Sequence, residues 1–147
     1  MGLNAGNTQV SAGLSRSVPD KNATLIYVVD DAPLIGEVVE AFLKIDGYPV
    51  RFFENPEVAW KTFSEASPRP KMLITDYAMQ PFHGMELIER CLKIDPGLKT
   101  ILISGNVTEN IVRQFSIKPN CFLPKPFQSR QLLAAVAGVL TFGHYDA

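Results

Sequence analysis

Cysteine, histidine and tryptophan are scarce in this chain, and neither a long apolar run nor a block of single-sign charge is present. The two cysteines, Cys91 and Cys121, lie in apolar contexts and read as reduced core thiols, the usage of a cytosolic protein. They could pair only if the fold brought them together. The two histidines, His83 and His144, keep no ligand spacing to either cysteine, which argues against a soft-ligand metal site. A net charge of −1 exerts no bulk pull toward nucleic acid or an anionic membrane, so neither is expected as a partner. No apolar run approaches the ~20 residues that span a bilayer. Residues 1–23 lack a basic start followed by an apolar block, so no secretion signal is expected there. A hydrophobic content of 46% over 147 residues suits one globular domain with a proper core.

Against these absences stand four short apolar runs, each ending on a residue able to do phosphate or metal chemistry. Leu25–Val29 leads into Asp30-Asp31, Met72–Thr75 into Asp76, Ile101–Ile103 into Ser104, and Cys121–Pro124 into Lys125-Pro126. Runs of this length, rich in Val, Ile and Leu and separated by helical patterns, read as buried parallel strands. Ligands of open parallel sheets bind beyond the carboxyl ends of the strands, where the strand order reverses. Three carboxylates, a hydroxyl and an ammonium are therefore expected on one edge, although Asp30 and Lys125 are remote in sequence.

The intervening segments support that reading. Residues 1–22 are rich in Gly, Asn, Ser and Thr with little apolar periodicity and read as a flexible N-terminal arm. Pro33 opens a first helix whose apolar face is expected at Ile35, Val38, Val39 and Phe42, with Gly47 as its stop. Tyr48–Phe53 reads as a second strand, and its Pro49, unable to donate to a ladder, places it at a sheet edge. Asn55-Pro56 starts a helix to about Ala66 that turns Ala59 and Phe63 inward. A third strand, Lys71–Thr75, delivers Asp76. A loop through Gly84 follows, then a helix with Leu87, Ile88, Cys91 and Leu92 on one face, closed by Asp95-Pro96-Gly97. The fourth strand is Lys99–Ile103, followed by a short helix near Thr108–Phe115 with Ile111, Val112 and Phe115 as its stripe. The fifth strand is about Asn120–Leu123, and a last helix from Ser129 to Leu140 buries Leu132, Leu133, Val136 and Leu140. The class is α/β, in one domain.

Taken in order, Asp30-Asp31, Asp76, Met79, Gly84, Ser104, Phe122 and Lys125-Pro126-Phe127 resemble the receiver domain of two-component response regulators, over about Thr24 to Leu140. The resemblance implies a flavodoxin-like, doubly wound sheet of five parallel strands in the order 2-1-3-4-5 with five helices. It divides the chain into an arm at 1–22, a receiver domain at 23–141 and a C-terminal tail at 142–147. It makes Asp76 the phosphoryl acceptor, attacking a phosphohistidine on a sensor histidine kinase or a histidine phosphotransfer protein. It assigns a Mg²⁺ site to Asp30, Asp31, Asp76 and the backbone carbonyl of Ala78. Carboxylates so close repel by about 4 kcal/mol per pair at 4 Å and an effective dielectric of 20, which a hard cation relieves. Lys125 is implied as the charge beside the phosphoryl group, Ser104 as a hydroxyl donor to it, and Phe122 as the ring that follows Ser104. The partner face would be the fourth helix, fifth strand and fifth helix, and the Lys125–Pro126 bond would be cis. The expected function is that of a stand-alone cytoplasmic switch that signals by docking proteins and does no further enzymatic work. The chain ends seven residues after Leu140, so no output module is expected.

Three departures stand out. The usual proline four residues past the acceptor is Gln80, with Pro81 one later. Ala78 has no polar side chain to orient a hydrolytic water, so slow loss of the phosphoryl group is expected. The segment from Ser104 to Lys125 is short, so the partner-facing helix is expected to be reduced. Taken singly, the same residues have plainer readings: Asp30-Asp31 as a helix cap, Phe122 as a core aromatic, Trp60 as helix surface or core edge, His83 as a solvent-exposed bystander. Rival functions are a receiver-like adaptor that is never phosphorylated and an aspartyl-phosphate phosphatase of the haloacid-dehalogenase type. The phosphatase needs a second Asp two residues after the nucleophile, where this chain has Ala78. A flavodoxin-like cofactor protein is a further rival, opposed by the acidic pair and by the lack of a Ser/Thr/Gly-rich loop after the first strand.

Overall fold

The computed structural model describes residues 20–146. Five strands alternate with five helices: β1 (Ile26–Val29), α1 (Pro33–Ile45), β2 (Val50–Phe53), α2 (Pro56–Glu65), β3 (Met72–Asp76), α3 (Gly84–Ile94), β4 (Lys99–Ser104), α4 (Glu109–Val112), β5 (Cys121–Pro124) and α5 (Ser129–Phe142). The strands form one sheet in the order β2-β1-β3-β4-β5, parallel throughout, as the resemblance implied. Both faces are covered, which is why the strands read as continuous apolar runs. Ile26 and Val28 join Val39 and Leu43 of α1 and Leu132, Ala135 and Val136 of α5. Tyr27 and Val29 point the other way, to Phe63 of α2, Leu87 and Ile88 of α3 and Val112 of α4. β2 lies on an edge, where Pro49 needs no ladder partner for its nitrogen; its carbonyl accepts from the Ile26 N–H at 2.9 Å.

Two helices differ from the sequence expectation. In α1 the buried stripe is Gly36, Val39 and Leu43, while Ile35 and Val38 are 38% and 49% exposed. The cause is close approach: a Cβ on Gly36 would lie 2.0 Å from the Phe52 ring, so the helix seats its glycine against β2 and turns part of its apolar face outward. α4 is one turn, Glu109–Val112, not the Thr108–Phe115 of the apolar spacing. Only Val112 of the expected stripe is buried; Ile111 is exposed and Phe115 half-buried. Beyond it the chain passes through the tighter bonds Gln114 N–H to Ile111 O and Phe115 N–H to Val112 O.

Residues 1–19 of the expected arm and Ala147 of the expected tail lie outside the described residues. The described end of the arm is structured: Asp20 caps a 3₁₀ turn at Lys21–Ala23, and Lys21 Nζ lies 3.1 Å from Asp46 past the end of α1. At the other terminus α5 runs to Phe142 and stops on Gly143 at φ +84°, and the Tyr145 N–H donates to the Asn120 carbonyl. Cys91 and Cys121 are free, buried, and in opposite layers of the core. Burial pushes their thiols up to about 12 and about 11, which keeps both protonated and inert. Among the described residues no helix is long and apolar enough to cross a membrane.

Candidate functional site

The strand ends deliver the site. The Asp30 N–H donates to the Phe53 carbonyl at the end of β2, holding Asp30 at the exit of β1. Asp76 is the last residue of β3, paired with Ile103, and Ser104 ends β4 beside Pro124. The Lys125 N–H donates to the Ser104 carbonyl at 2.8 Å, which fixes the start of the loop after β5. The Lys125–Pro126 peptide is cis, as the resemblance implied.

These placements bring the charged groups together. Lys125 Nζ lies 3.0 Å from Asp76 Oδ1 and 3.8 Å from Asp30 Oδ2. Asp30 and Asp76 are buried and Asp31 is exposed, and one oxygen of each lies within 4.8 Å of the others. One ammonium against three carboxylates leaves an excess of negative charge. Burial raises the Asp30 carboxyl above its ordinary range; the hydrogen bond from the Ala32 N–H opposes this, the charge of Asp76 adds to it, Lys125 opposes it and Asp31 adds to it. An all-oxygen donor set with surplus negative charge and one solvent-facing member fits a hard divalent cation. Ala78 and Asp31 line the same cavity, of about 450 Å³.

Ser104 is buried, and its Oγ accepts from the N–H groups of Asn106 at 3.2 Å and Val107 at 2.9 Å. Both contacts use the oxygen, so the hydroxyl proton remains available to another acceptor. Phe122 is half-buried and has space on two sides. With Ser104, Val107 and Lys125 it lines a cavity of about 380 Å³, and with Val112, Cys121 and Tyr145 one of about 580 Å³. Trp60 is partly buried and packs against the core.

Gly84 has a physical reason as well as a place in the motif. A Cβ there would lie 2.2 Å from the backbone oxygen of Asp76, while the Gly84 N–H donates to the Tyr77 carbonyl at 2.8 Å. His83 corrects the expectation of an exposed bystander. It is half-buried and caps α3, its Nδ1 accepting from the Glu86 N–H at 3.2 Å. Its ring stacks on Tyr77 with centroids 4.8 Å apart at 9°, and meets Phe115 edge-on at 5.7 Å. Spacing marked Phe115 only as part of an apolar helix stripe and gave Tyr77 no role, because the loop after β3 and the α4 segment share no periodicity.

The family model described as "Response regulator receiver domain" matches residues 26–137. The chain is 31% identical over 120 residues to the DNA-binding transcriptional regulator NtrC of Azospirillum brasilense, covering 81% of this chain and 24% of that protein. It is 30% identical over 122 residues to the response regulator receiver protein CpdR of Brucella abortus, covering 79% of this chain and 95% of that one. The curated relatives it matches thus include longer proteins of which it spans about a quarter. A crystal structure of a CheY-like receiver domain protein from Methanospirillum hungatei superposes with a TM-score of 0.74 at 24% identity, over 81% of this chain and 94% of that one.

Proposed function

Because the chain belongs to the response regulator receiver domain family, we propose that Asp76 accepts a phosphoryl group from a phosphohistidine and that the protein thereby switches its contacts with other proteins. The donor is a sensor histidine kinase or a histidine phosphotransfer protein, acting in the cytoplasm. One observation carries the reading: the Lys125 ammonium reaches both Asp76 and Asp30, within a cluster of three carboxylates.

In the transfer, a carboxylate oxygen of Asp76 bonds to phosphorus as the donor's P–N bond breaks and the imidazole leaves with the electron pair. Lys125, already 3.0 Å from Asp76 Oδ1, stabilises the charge on the phosphoryl oxygens. Asp30, Asp31, Asp76 and the Ala78 carbonyl would hold Mg²⁺, which when bound neutralises the clustered carboxylates and draws charge from the phosphoryl oxygens. Ser104 turns its hydroxyl to the phosphoryl group and gives up the amides of Asn106 and Val107. Phe122 follows into the space beside it, and the surface of α4, β5 and α5 changes. Moving such an equilibrium from 1:99 to 99:1 takes about 5.5 kcal/mol, within reach of a few charge-assisted hydrogen bonds at ~1.5–3 kcal/mol each.

The donor side has its own support. Leu34, Ile35, Val38 and Phe42 of α1 line an apolar groove with Pro126 and Phe127, and Lys125 lines it too. A phosphohistidine protein reaching Asp76 past Lys125 covers this groove. The test is incubation with a small phosphodonor and Mg²⁺, read by intact mass. The wild type gains one phosphoryl group and Asp76→Asn gains none; a wild type without the gain overturns the proposal.

A further inference from the structure

We infer that His83 is a positioning residue that couples the loop after Asp76 to the α4 segment, an inference that rests on the phosphoacceptor reading above. Tyr77 anchors that loop at both ends. Its N–H donates to the Ile103 carbonyl at 2.9 Å, and its own carbonyl accepts from the Gly84 N–H at 2.8 Å. Residues 78–83, including Ala78, therefore form a closed loop that starts and finishes at Tyr77. The His83 ring lies flat on Tyr77, its Nδ1 holds the first turn of α3, and its remaining side meets Phe115 just past α4.

The α4 segment hangs on the group that the switch would move. The Ser104 oxygen holds the amides of Asn106 and Val107, and one helical turn with two tight bonds carries the chain from there to Phe115. When Ser104 turns away, this segment resettles, and Phe115 carries the change to His83 and Tyr77. The residue type fits a double use. Asparagine would cap the helix as well but has no ring to stack, whereas phenylalanine would stack but cannot accept the Glu86 N–H. If His83 were only a cap, asparagine would replace it silently.

Backbone hydrogen exchange of the whole chain, with and without a small phosphodonor and Mg²⁺, separates the two roles once phosphorylation has been scored by intact mass. In wild type and H83F, phosphorylation alters exchange in both 105–115 and 78–83. In H83N the response persists in 105–115, while that in 78–83 falls by about two- to tenfold, the worth of one stacked aromatic pair. Phe115→Leu removes the other ring and gives the H83N pattern, so the result does not depend on one variant's stability. A full response of 78–83 in H83N and Phe115→Leu overturns the coupling, as does its loss in H83F. If the wild type gains phosphoryl mass and the variants show these contrary patterns, this inference alone fails; absence of the mass gain in the wild type sinks the phosphoacceptor reading beneath it.

Discussion

Lys125 serves two carboxylates at once, and its two contacts predict a split between chemistry and ion binding. Lys125→Met should slow phosphorylation by a small phosphodonor by roughly 10²-fold, the scale of losing one stabilising donor in a transfer site. Mg²⁺ affinity, read by calorimetric titration, should not weaken, because removing a cation leaves the carboxylates more negative. Asp30 behaves differently, since burial raises its carboxyl. A raised acid binds its proton more readily folded than unfolded. The resulting stabilisation is complete below the ordinary value of 3.8 and is lost as pH rises through the raised one. At neutral pH the charged Asp30 therefore costs stability. In metal-free protein Asp30→Asn, which keeps an oxygen for the Ala32 N–H, should raise the Tm at pH 7 by roughly 4 °C per kcal/mol of repulsion relieved. That advantage should shrink as the pH is lowered through the Asp30 titration; a constant advantage would contradict the assignment. At Ala78 the missing polar group predicts a long-lived phosphoryl group. Ala78→Asn should speed its loss by roughly tenfold, the worth of one hydrogen bond of ~1.4 kcal/mol, and an unchanged rate rejects the idea.

Among the elements, the loop from β3 to α3 has the least room. Gly84→Ala forces a methyl carbon onto the Asp76 carbonyl, where backbone and not a pliant side chain must yield. A loss of about 1–3 kcal/mol is expected in denaturant melts, together with slower phosphorylation because Asp76 itself shifts. On α1, Val38→Asp replaces a side chain already 49% exposed. It should leave the melting midpoint nearly unchanged and phosphorylation by a small donor intact, while slowing transfer from a phosphohistidine protein. The same helix shows where sequence reading stops. Its start and length were legible from Pro33 and the spacing of apolar residues, but its buried face was set by Gly36 against Phe52. A glycine adds nothing to a hydropathy pattern, so the outward turn of Ile35 and Val38 was hidden. In α4 the apolar spacing matched a longer helix, yet only Val112 of the stripe is fully buried, with Phe115 half-buried against the core and Ile111 exposed.

For the whole molecule, the legible part is what repeats along the chain: apolar runs that each end on a reactive group. That pattern carried the sheet, its strand order by resemblance, and the meeting of Asp30, Asp31, Asp76, Ser104 and Lys125 at one end. The contact of His83 with Tyr77 face to face and with Phe115 edge-on was not legible, because it joins the loop after β3 to the α4 segment, which share no periodicity. The two thiols bear on how such motions can be watched. Cys91 and Cys121 lie on opposite sides of the sheet, each protonated at working pH. A maleimide should leave the native chain unlabelled and take two equivalents only after denaturation, matching the cysteine count. A single cysteine engineered on the solvent side of α4 would then be the sole reactive handle. A fluorophore or spin probe could be attached there with the native residues left in place.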